Sequence, residues 1–239
     1  FSTTGTAGNG LGAIDRLSNL FEIYSVPHQG TAMLIHLWAD QIAAETVLDL
    51  GVVCVPKRGE TVSGDAWAVQ MEPERCLLLV VDGLGHGVAA AEAAEAAVDV
   101  LQARSNQPPG AIVEAAHAAL RRTRGAVMAI AELDLDARSI RFAGIGNIAA
   151  GLISLNRTQH FVSHNGTVGH EMRRVQEFLY PWSEDGILIL HSDGLGAKWQ
   201  LDRYPGLIQQ HPSLIAGVLY RDFQRDRDDV VVLVARKRR

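Results

Sequence analysis

The sequence predicts an α+β fold, a helix/sheet/sheet/helix sandwich in which two antiparallel sheets are flanked by helices. Short runs of β-branched and aliphatic residues, separated by turn residues, recur along most of the chain. An alanine-rich helix over 88–104 and a second helix over 111–124 fall between two groups of strands. A third, amphipathic helix over 214–225 precedes the closing strand. Such an order favours sheets that bury one face against each other and the other face against helices.

The composition is that of an ordinary globular protein. With 239 residues, 47 % hydrophobic and 21 % charged, the chain can form one sizeable domain, or one domain and a fragment. A net charge of −5 argues against nucleic acid as the main partner. No apolar run approaches the ~20 residues of a membrane span, and no signal pattern opens the sequence. We therefore expect a cytoplasmic protein without membrane contact, in which Cys54 and Cys76 are reduced.

The predicted strands follow one another with short connections. The pattern predicts a strand over 47–55, a hairpin over 65–82 and, after the two helices, strands separated by turns. These later strands are expected at 126–133, 139–145, 148–155, 178–192 (interrupted at 181–186) and 230–235.

The segment 77–87 holds the first candidate site residue. Five large aliphatic residues, typical of a strand buried on both faces, lead to Asp82, which Gly83 follows. A carboxylate at the tip of a buried strand can hold a metal ion or a reacting group. Asp-Gly is also a frequent turn dipeptide, so this pattern by itself is equally typical of an ordinary turn.

A hairpin would place a second carboxylate beside Asp82. Asp65 opens the strand over 66–71, and a short polar loop, 72–75, separates that strand from the one that leads to Asp82. With a loop of that length, the register of the hairpin places Asp65 directly opposite Asp82. Two adjacent carboxylates repel each other, and a bound cation would offset the repulsion.

Further carboxylates occur at the ends of two later strands. Asp193 follows the apolar strand 186–191, while Asp228 and Asp229 open the strand 230–235. In an antiparallel arrangement, carboxylates that follow one strand and precede the next lie on the same edge of the core. Clustered aspartates without patterned Cys or His favour a hard cation such as Mg²⁺ or Mn²⁺.

These motifs, in this order, resemble those of the PPM metal-dependent serine/threonine protein phosphatases. The matching residues are Gly64-Asp65, Asp82-Gly83, Ser192-Asp193-Gly194 and Asp228-Asp229. The segments 81–87 (VDGLGHG) and 165–169 (NGTVG) are most similar to the bacterial SpoIIE branch, and within it to the RsbX-like phosphatases of the stress response. The resemblance covers about residues 41–239 and implies the sandwich fold described above.

The resemblance also implies a role for each aspartate. Two Mn²⁺ or Mg²⁺ ions would activate water for direct attack on the phosphoryl group. Asp82 would bridge the two ions, and the backbone carbonyl of Gly83 would bind one of them. Asp193 and Asp228 would complete the ligand set of the second ion. Asp65 would orient the attacking water.

His86 is a further candidate for catalysis. Many members of the family carry a histidine two residues after the bridging aspartate, as a proposed general acid for the leaving serine. Here Leu84 occupies that position, and His86 follows Asp82 by four residues. Two interpretations stay open: a catalytic or substrate-contacting role, and a structural role at the start of the helix that follows.

Residues 1–38 resemble a different family. A glycine-rich segment, 5–12, runs into a short helix from residue 13 and a hairpin over 21–38. This part is similar to the C-terminal end of the GHKL-type, RsbT-like ATPase and kinase domains. Only that end is present, so ATP binding by the fragment alone is not expected. We expect two units, 1–40 and 41–239, and hypothesise an upstream kinase domain in the same polypeptide.

The resulting prediction is a metal-dependent phosphatase that acts on phosphoserine or phosphothreonine of a bacterial regulatory protein. The resemblance implies that this substrate is a phosphorylated STAS-domain protein, such as an anti-anti-sigma factor or a stressosome component. Two alternatives remain. The first is a non-catalytic module that keeps the phosphatase fold and binds a regulator, and the second is part of a kinase–phosphatase fusion.

Overall fold

The computed structural model describes residues 9–39, 46–72, 75–154, 157–183 and 185–238. Within these ranges the chain forms four α-helices and twelve β-strands. In order they are α1 (Asn9–Leu17), β1 (Leu20–Val26), β2 (Gly30–His36), β3 (Leu48–Val55), β4 (Asp65–Met71), β5 (Arg75–Gly83), α2 (Val88–Ala103), α3 (Pro109–Ala119), β6 (Ala126–Asp134), β7 (Ser139–Ile145), β8 (Ala149–Ser154), β9 (Arg157–His160), β10 (Phe178–Pro181), β11 (Ile187–His191), α4 (Pro212–Phe223) and β12 (Val230–Lys237).

Two five-stranded antiparallel sheets form the centre of the molecule. The first has the strand order β10-β7-β6-β5-β4, and the second has the order β3-β12-β11-β8-β9. Their facing sides share one apolar core, to which the first sheet contributes Leu78 and Val80 and the second contributes Leu188, Leu190 and Leu233. The predicted α+β sandwich of two antiparallel sheets is confirmed.

Helices cover the outer sides of both sheets. Alternate residues of β5, such as Leu77 and Leu79, point away from the central core and pack with the alanines of α2 and with α3. The outer face of the second sheet packs in the same way against α4 through residues such as Ile189 and Val232. Because β5 and β11 are covered on both faces, each reads in the sequence as a continuous apolar run rather than as an alternating one.

Most predicted elements are found within a few residues of their expected bounds. The second predicted helix is shorter than expected: α3 ends at Ala119, and a single 3-10 turn, Leu120–Arg122, follows it. The backbone then turns at Gly125, which has a φ of 78°. Cys54 and Cys76 are free thiols in β3 and β5. No helix in the described part of the chain is long and apolar enough to cross a membrane.

The hairpin β1–β2 packs on the second sheet's side of the molecule. One of its faces, with Tyr24 and Leu34, joins the apolar cluster around α4. Glu22 accepts a hydrogen bond from the backbone N–H of His211, just before α4, at 2.6 Å. Residues 5–8 of the predicted glycine-rich loop lie outside the described residues, whereas 9–12 belong to α1, so the helix begins four residues before the predicted residue 13. Nearly all of the predicted junction between the two units also lies outside the described residues, so the division into 1–40 and 41–239 stays a prediction.

Candidate active site

The candidate active site lies where strand ends of both sheets meet. In the first sheet, β4 begins at Asp65, and β5 ends at Gly83, one residue after Asp82, which pairs with Asp65. In the second sheet, β12 begins directly after Asp229, beside the end of β11. A cleft of about 530 Å³ opens there, and Asp82, Asp193 and Asp228 line it together. The structure therefore brings the predicted carboxylates of the two sheets to one edge of the core.

Asp65 and Asp82 form the carboxylate pair that the hairpin register predicted, and the structure confirms the register. Burial raises the pKa of Asp82 to about 8, with a further contribution from the charges of Asp65 and Asp193. Burial also raises the pKa of Asp65 to about 7, although the hydrogen bond from Ser192 acts in the opposite direction and lowers that pKa. Each of the two carboxylates is therefore harder to ionise at this buried edge than in water, and a bound cation would offset that cost.

Ser192 connects Asp65 to the second sheet. Its hydroxyl donates to Asp65 Oδ2 at 2.6 Å and accepts the backbone N–H of Val231 at 3.0 Å. The side chain of Ser192 is fully buried, at 0 % exposure. The sequence analysis included Ser192 only as the residue before Asp193. It did not predict the contact between Ser192 and Asp65.

The glycines that follow Asp82 and Asp193 both allow close packing of the backbone at the site. A Cβ on Gly83 would lie 2.1 Å from the carbonyl oxygen of Ala90 in α2. A Cβ on Gly194 would lie 1.9 Å from the carbonyl oxygen of Asp229. Neither glycine has a positive φ. Asp82-Gly83 lies within β5, so the interpretation of Asp-Gly as a turn is wrong there. Asp193-Gly194 does lie in a turn, which the backbone N–H of Leu195 closes by donating to the carbonyl of Ser192 at 3.3 Å.

Asp193 and Asp228 approach the cleft from the second sheet. Asp193 Oδ2 accepts a hydrogen bond from the side-chain amide of Asn147 at 2.7 Å, and Asn147 also lines the cleft. Burial and the charge of Asp193 raise the pKa of Asp228, while Lys57 acts in the opposite direction. Asn147 is a second residue that the sequence did not reveal, because it stood out only as a break between two strands.

Asp229 is the most deeply buried carboxylate on the second sheet's side of the site. Its Oδ1 accepts the backbone N–H of Lys57 at 2.7 Å. Its Oδ2 is buried and has no hydrogen-bond partner within the described ranges. A Cβ built on Gly64 would lie 2.8 Å from that oxygen, so the glycine before Asp65 leaves room for it. A buried carboxylate oxygen without a partner is costly and calls for a cation or an ordered donor.

His86 lies at the rim of the same cleft. Its Nδ1 donates to Glu60 Oε1 at 2.6 Å, and both side chains are partly exposed. The first helical residue of α2 is Val88, and its N-cap is Gly87, without a side-chain capping bond. His86 thus does not cap the helix; it is oriented by a carboxylate and borders the cleft.

The donor set fits a hard divalent cation in its chemistry. The cleft offers carboxylate oxygens whose mutual repulsion a cation would relieve, and Asp229 offers a buried oxygen without a partner. Among the residues that the structure describes, no three His, Cys, Asp or Glu side chains are already arranged to hold a metal ion. The assignment of cation ligands to these carboxylates therefore stays a prediction.

Comparison with known proteins agrees with this geometry. Residues 72–238 match the family described as Stage II sporulation protein E (SpoIIE). The match spans more than half of the chain, and the chain belongs to this family. Phosphoserine phosphatase RsbX of Bacillus subtilis (strain 168) is 23 % identical over 140 residues, which are 58 % of this chain and 70 % of that protein.

Two solved structures show the same fold. One is described as "The bacterial stressosome: a modular system that has been adapted to control secondary messenger signaling". It has a TM-score of 0.75 and 28 % identity, covering 79 % of this chain and 99 % of that chain. The other is RsbX in complex with magnesium. It has a TM-score of 0.72 and 18 % identity, and the match covers 92 % of this chain and 100 % of that chain. The prediction of a SpoIIE-branch, RsbX-like protein phosphatase is confirmed, whereas the similarity of residues 1–38 to GHKL ATPases stays a prediction.

Proposed function

We propose that this protein hydrolyses phosphoserine or phosphothreonine on a bacterial regulatory protein, with divalent cations bound at the carboxylate edge. The observation that carries the proposal is the convergence of strand-end aspartates from both sheets on one cleft. The relative named phosphoserine phosphatase RsbX supports the substrate class. The RsbX structure in complex with magnesium supports the cation.

Four residues would hold two Mn²⁺ or Mg²⁺ ions. Asp82, which lines the cleft, would bridge them, and the backbone carbonyl of Gly83 would bind one ion. Asp193 and Asp228, which line the same cleft, would bind the other. Bound cations would supply positive charge that lowers the pKa of the attacking water and stabilises the phosphoryl oxygens.

The remaining side chains would handle water and protons. Asp65, buried behind Asp82 and held by Ser192, would fix the direction in which the attacking water points. His86, oriented through Nδ1 by Glu60, would donate a proton from Nε2 to the leaving serine oxygen. A carboxylate that orients a histidine through its other ring nitrogen is a recurrent arrangement in acid–base catalysis.

We propose a phosphorylated STAS-domain protein as the substrate, which the family resemblance implied from the sequence. The similarity to a structure whose description concerns the bacterial stressosome supports a regulatory partner of this kind. The cleft is open and shallow enough to accept a side chain that projects from a folded protein surface, since it lies at a strand edge rather than in an enclosed cavity.

The test is hydrolysis of a phosphoserine peptide and of p-nitrophenyl phosphate by this chain with Mn²⁺, Mg²⁺ or chelator. We expect turnover that requires the cation, and calorimetric binding of Mg²⁺. Tight cation binding without turnover on any phosphorylated protein would favour the non-catalytic, regulator-binding module instead. Absence of both turnover and cation binding would overturn the proposal.

We further propose that the outward face of the hairpin β1–β2 packs against an upstream kinase domain of the same polypeptide. The cross-strand pairs on this face, Phe21 with Ile35 and Ile23 with Met33, are apolar, and Met33 is 50 % exposed. A two-stranded sheet is only marginally stable alone, and such a face is normally covered. This observation supports the similarity of residues 1–38 to the end of a GHKL domain.

Oxidative footprinting tests this arrangement. Met33 should be protected from hydroxyl radicals in a chain extended upstream along its natural reading frame, compared with the 239-residue chain. Met71, which is 37 % exposed in β4 of the first sheet, is the matched control and should react equally in both. Equal oxidation of Met33 in the two chains would contradict the proposal.

A further inference from the structure

A continuous chain of hydrogen bonds leads from the outer face of the second sheet to the carboxylate site. It begins at Trp199, whose indole N–H donates to His191 Nε2 at 3.2 Å. His191 Nδ1 then donates to the backbone carbonyl of Ser192 at 2.8 Å. Finally, the hydroxyl of Ser192 donates to Asp65 at 2.6 Å.

The donors and acceptors fix the form of His191. An indole nitrogen can only donate and a carbonyl can only accept, so the imidazole is neutral and carries its proton on Nδ1. Burial lowers the pKa of His191, which favours the same neutral form. The ring therefore has one orientation that satisfies both neighbours, and the rings of His191 and Trp199 meet edge to face at a centroid distance of 5.8 Å.

The chain of hydrogen bonds acts on two site carboxylates at once. By holding the Ser192 carbonyl, His191 fixes the peptide plane between Ser192 and Asp193, and Asp193 lines the cleft. Through its hydroxyl, Ser192 holds Asp65, which faces Asp82. His191 and Ser192 are both buried, so these hydrogen bonds are strong and their loss is costly.

We propose that Trp199 and His191 are positioning residues for the active site, and that they set the placement of Asp65 and Asp193 through Ser192. The inference rests on the proposed function, since it names residues that arrange the cation site. Trp199 is not among the residues that line the cleft; it lines a separate groove of about 680 Å³ on the outer face of the second sheet. The indole N–H is thus the outermost group of the arrangement.

Trp199→Phe removes only the indole N–H and part of the ring. We expect calorimetry to show Mg²⁺ binding about 10-fold weaker than in the parent chain. A loss of this size is found when a hydrogen-bond partner of a metal-ligating residue is removed. The matched control is Trp182→Phe: Trp182 is buried in the central core, and its indole nitrogen has no hydrogen-bond partner within the described ranges. This control should bind Mg²⁺ like the parent chain.

A second measurement follows the indole N–H directly in the folded parent chain. The sequence has four tryptophans, so ¹⁵N-tryptophan labelling gives few indole signals, and single substitutions to Phe assign them. We expect the Trp199 signal to shift when Mg²⁺ is added. The shift should be smaller in Ser192→Ala, which removes the hydroxyl that holds Asp65 but keeps the carbonyl that His191 holds. The Trp38 signal, from the exposed ring after β2, should stay unchanged and serves as the control.

The outcomes separate this inference from the proposed function. Mg²⁺ binding and phosphatase activity in the parent chain, with an unmoved Trp199 signal and unchanged affinity in Trp199→Phe, would overturn the positioning role alone. A parent chain that binds no Mg²⁺ would overturn the proposed function and the inference together. If Trp199→Phe does not fold, the Trp199 indole signal of the parent chain can be assigned from the other three Trp→Phe substitutions. Its response to Mg²⁺ then still tests the positioning role.

Discussion

Asp65 and Asp82 face each other across the β4–β5 hairpin, yet within the described part of the chain only Asp65 accepts a side-chain hydrogen bond from the opposite sheet. Asp65 is 4 % exposed and accepts the hydroxyl of Ser192, while Asp82 lines the open cleft. The pair therefore has an inner and an outer member. This difference agrees with the proposed roles, in which Asp82 binds cations that enter from solvent and Asp65 acts from behind it.

Asp82→Asn should abolish catalysis. The substitution keeps the shape of the side chain but removes its charge from the cleft, so we expect a loss of activity of at least ~10³-fold and little Mg²⁺ binding. Asp136→Asn, on the exposed turn between β6 and β7, is the matched control and should leave both unchanged. Phosphatase assays and calorimetry measure the two effects, and residual cation-dependent activity near the parent level would contradict the assigned role.

Without divalent cations, the stability of the fold should fall as the pH rises. The pKa values of Asp65 and Asp82 are raised to about 7 and about 8, so the native chain keeps protons that the unfolded chain has already lost. The extra stability is complete below the unfolded pKa near 3.8 and disappears as the pH rises through the folded values. In chelator we expect Tm to drop by roughly 5–10 °C between about pH 5.5 and pH 8.

Asp82→Asn provides the control for this pH dependence. It removes the group with the larger rise in pKa, so the dependence of Tm on pH in chelator should flatten. Added Mg²⁺ should raise the Tm of the parent chain more at high pH than at low pH, because it binds the ionised carboxylates. An unchanged slope in the variant would show that other groups cause the dependence.

His86→Asn should affect substrates according to their leaving group. A general acid matters for the alkoxide of serine and hardly for p-nitrophenolate, which leaves without protonation. We expect a loss of ~10²-fold on a phosphoserine peptide and less than ~3-fold on p-nitrophenyl phosphate. Glu60→Gln, which weakens the hydrogen bond at 2.6 Å, should give a smaller loss on the peptide alone. Equal losses on both substrates would indicate that His86 contacts the substrate rather than donating a proton.

Gly83→Ala should destabilise the fold even though the glycine has no unusual φ. The added Cβ would lie 2.1 Å from the Ala90 carbonyl, which forces β5 and α2 apart at the site, and we expect a loss of about 3 kcal/mol. Gly217→Ala in α4 meets nothing within 4 Å and should stabilise the protein by about 0.5–1 kcal/mol. Chemical denaturation measures both, and similar effects for the two variants would contradict the packing argument.

Several features of the fold and site followed from local sequence patterns. The hairpin register that pairs Asp65 with Asp82 depends on the length of one short loop, so neighbouring residues encode it. The positions of Asp193 and Asp228 at strand ends follow from the apolar runs beside them. The antiparallel order of the strands then places all these carboxylates on one edge, and the sandwich class follows from the succession of strands and helices.

Other features could be seen only in the tertiary structure. Ser192 and Asp65 are 127 residues apart, Asn147 and Asp193 are 46 apart, and Glu60 and His86 are 26 apart. Neither the spacing nor the residue type of a serine, an asparagine or a glutamate marks it as a partner of a distant side chain.

The sequence alone therefore determined which carboxylates form the site, because strand periodicity and loop length act over a few residues. Only the tertiary structure decided which side chains hold them. Those contacts depend on how the two sheets are stacked and how loops from each side meet at their edge. The burial that raises the pKa values of Asp65 and Asp82 likewise exists only once both sheets and α2 are packed together.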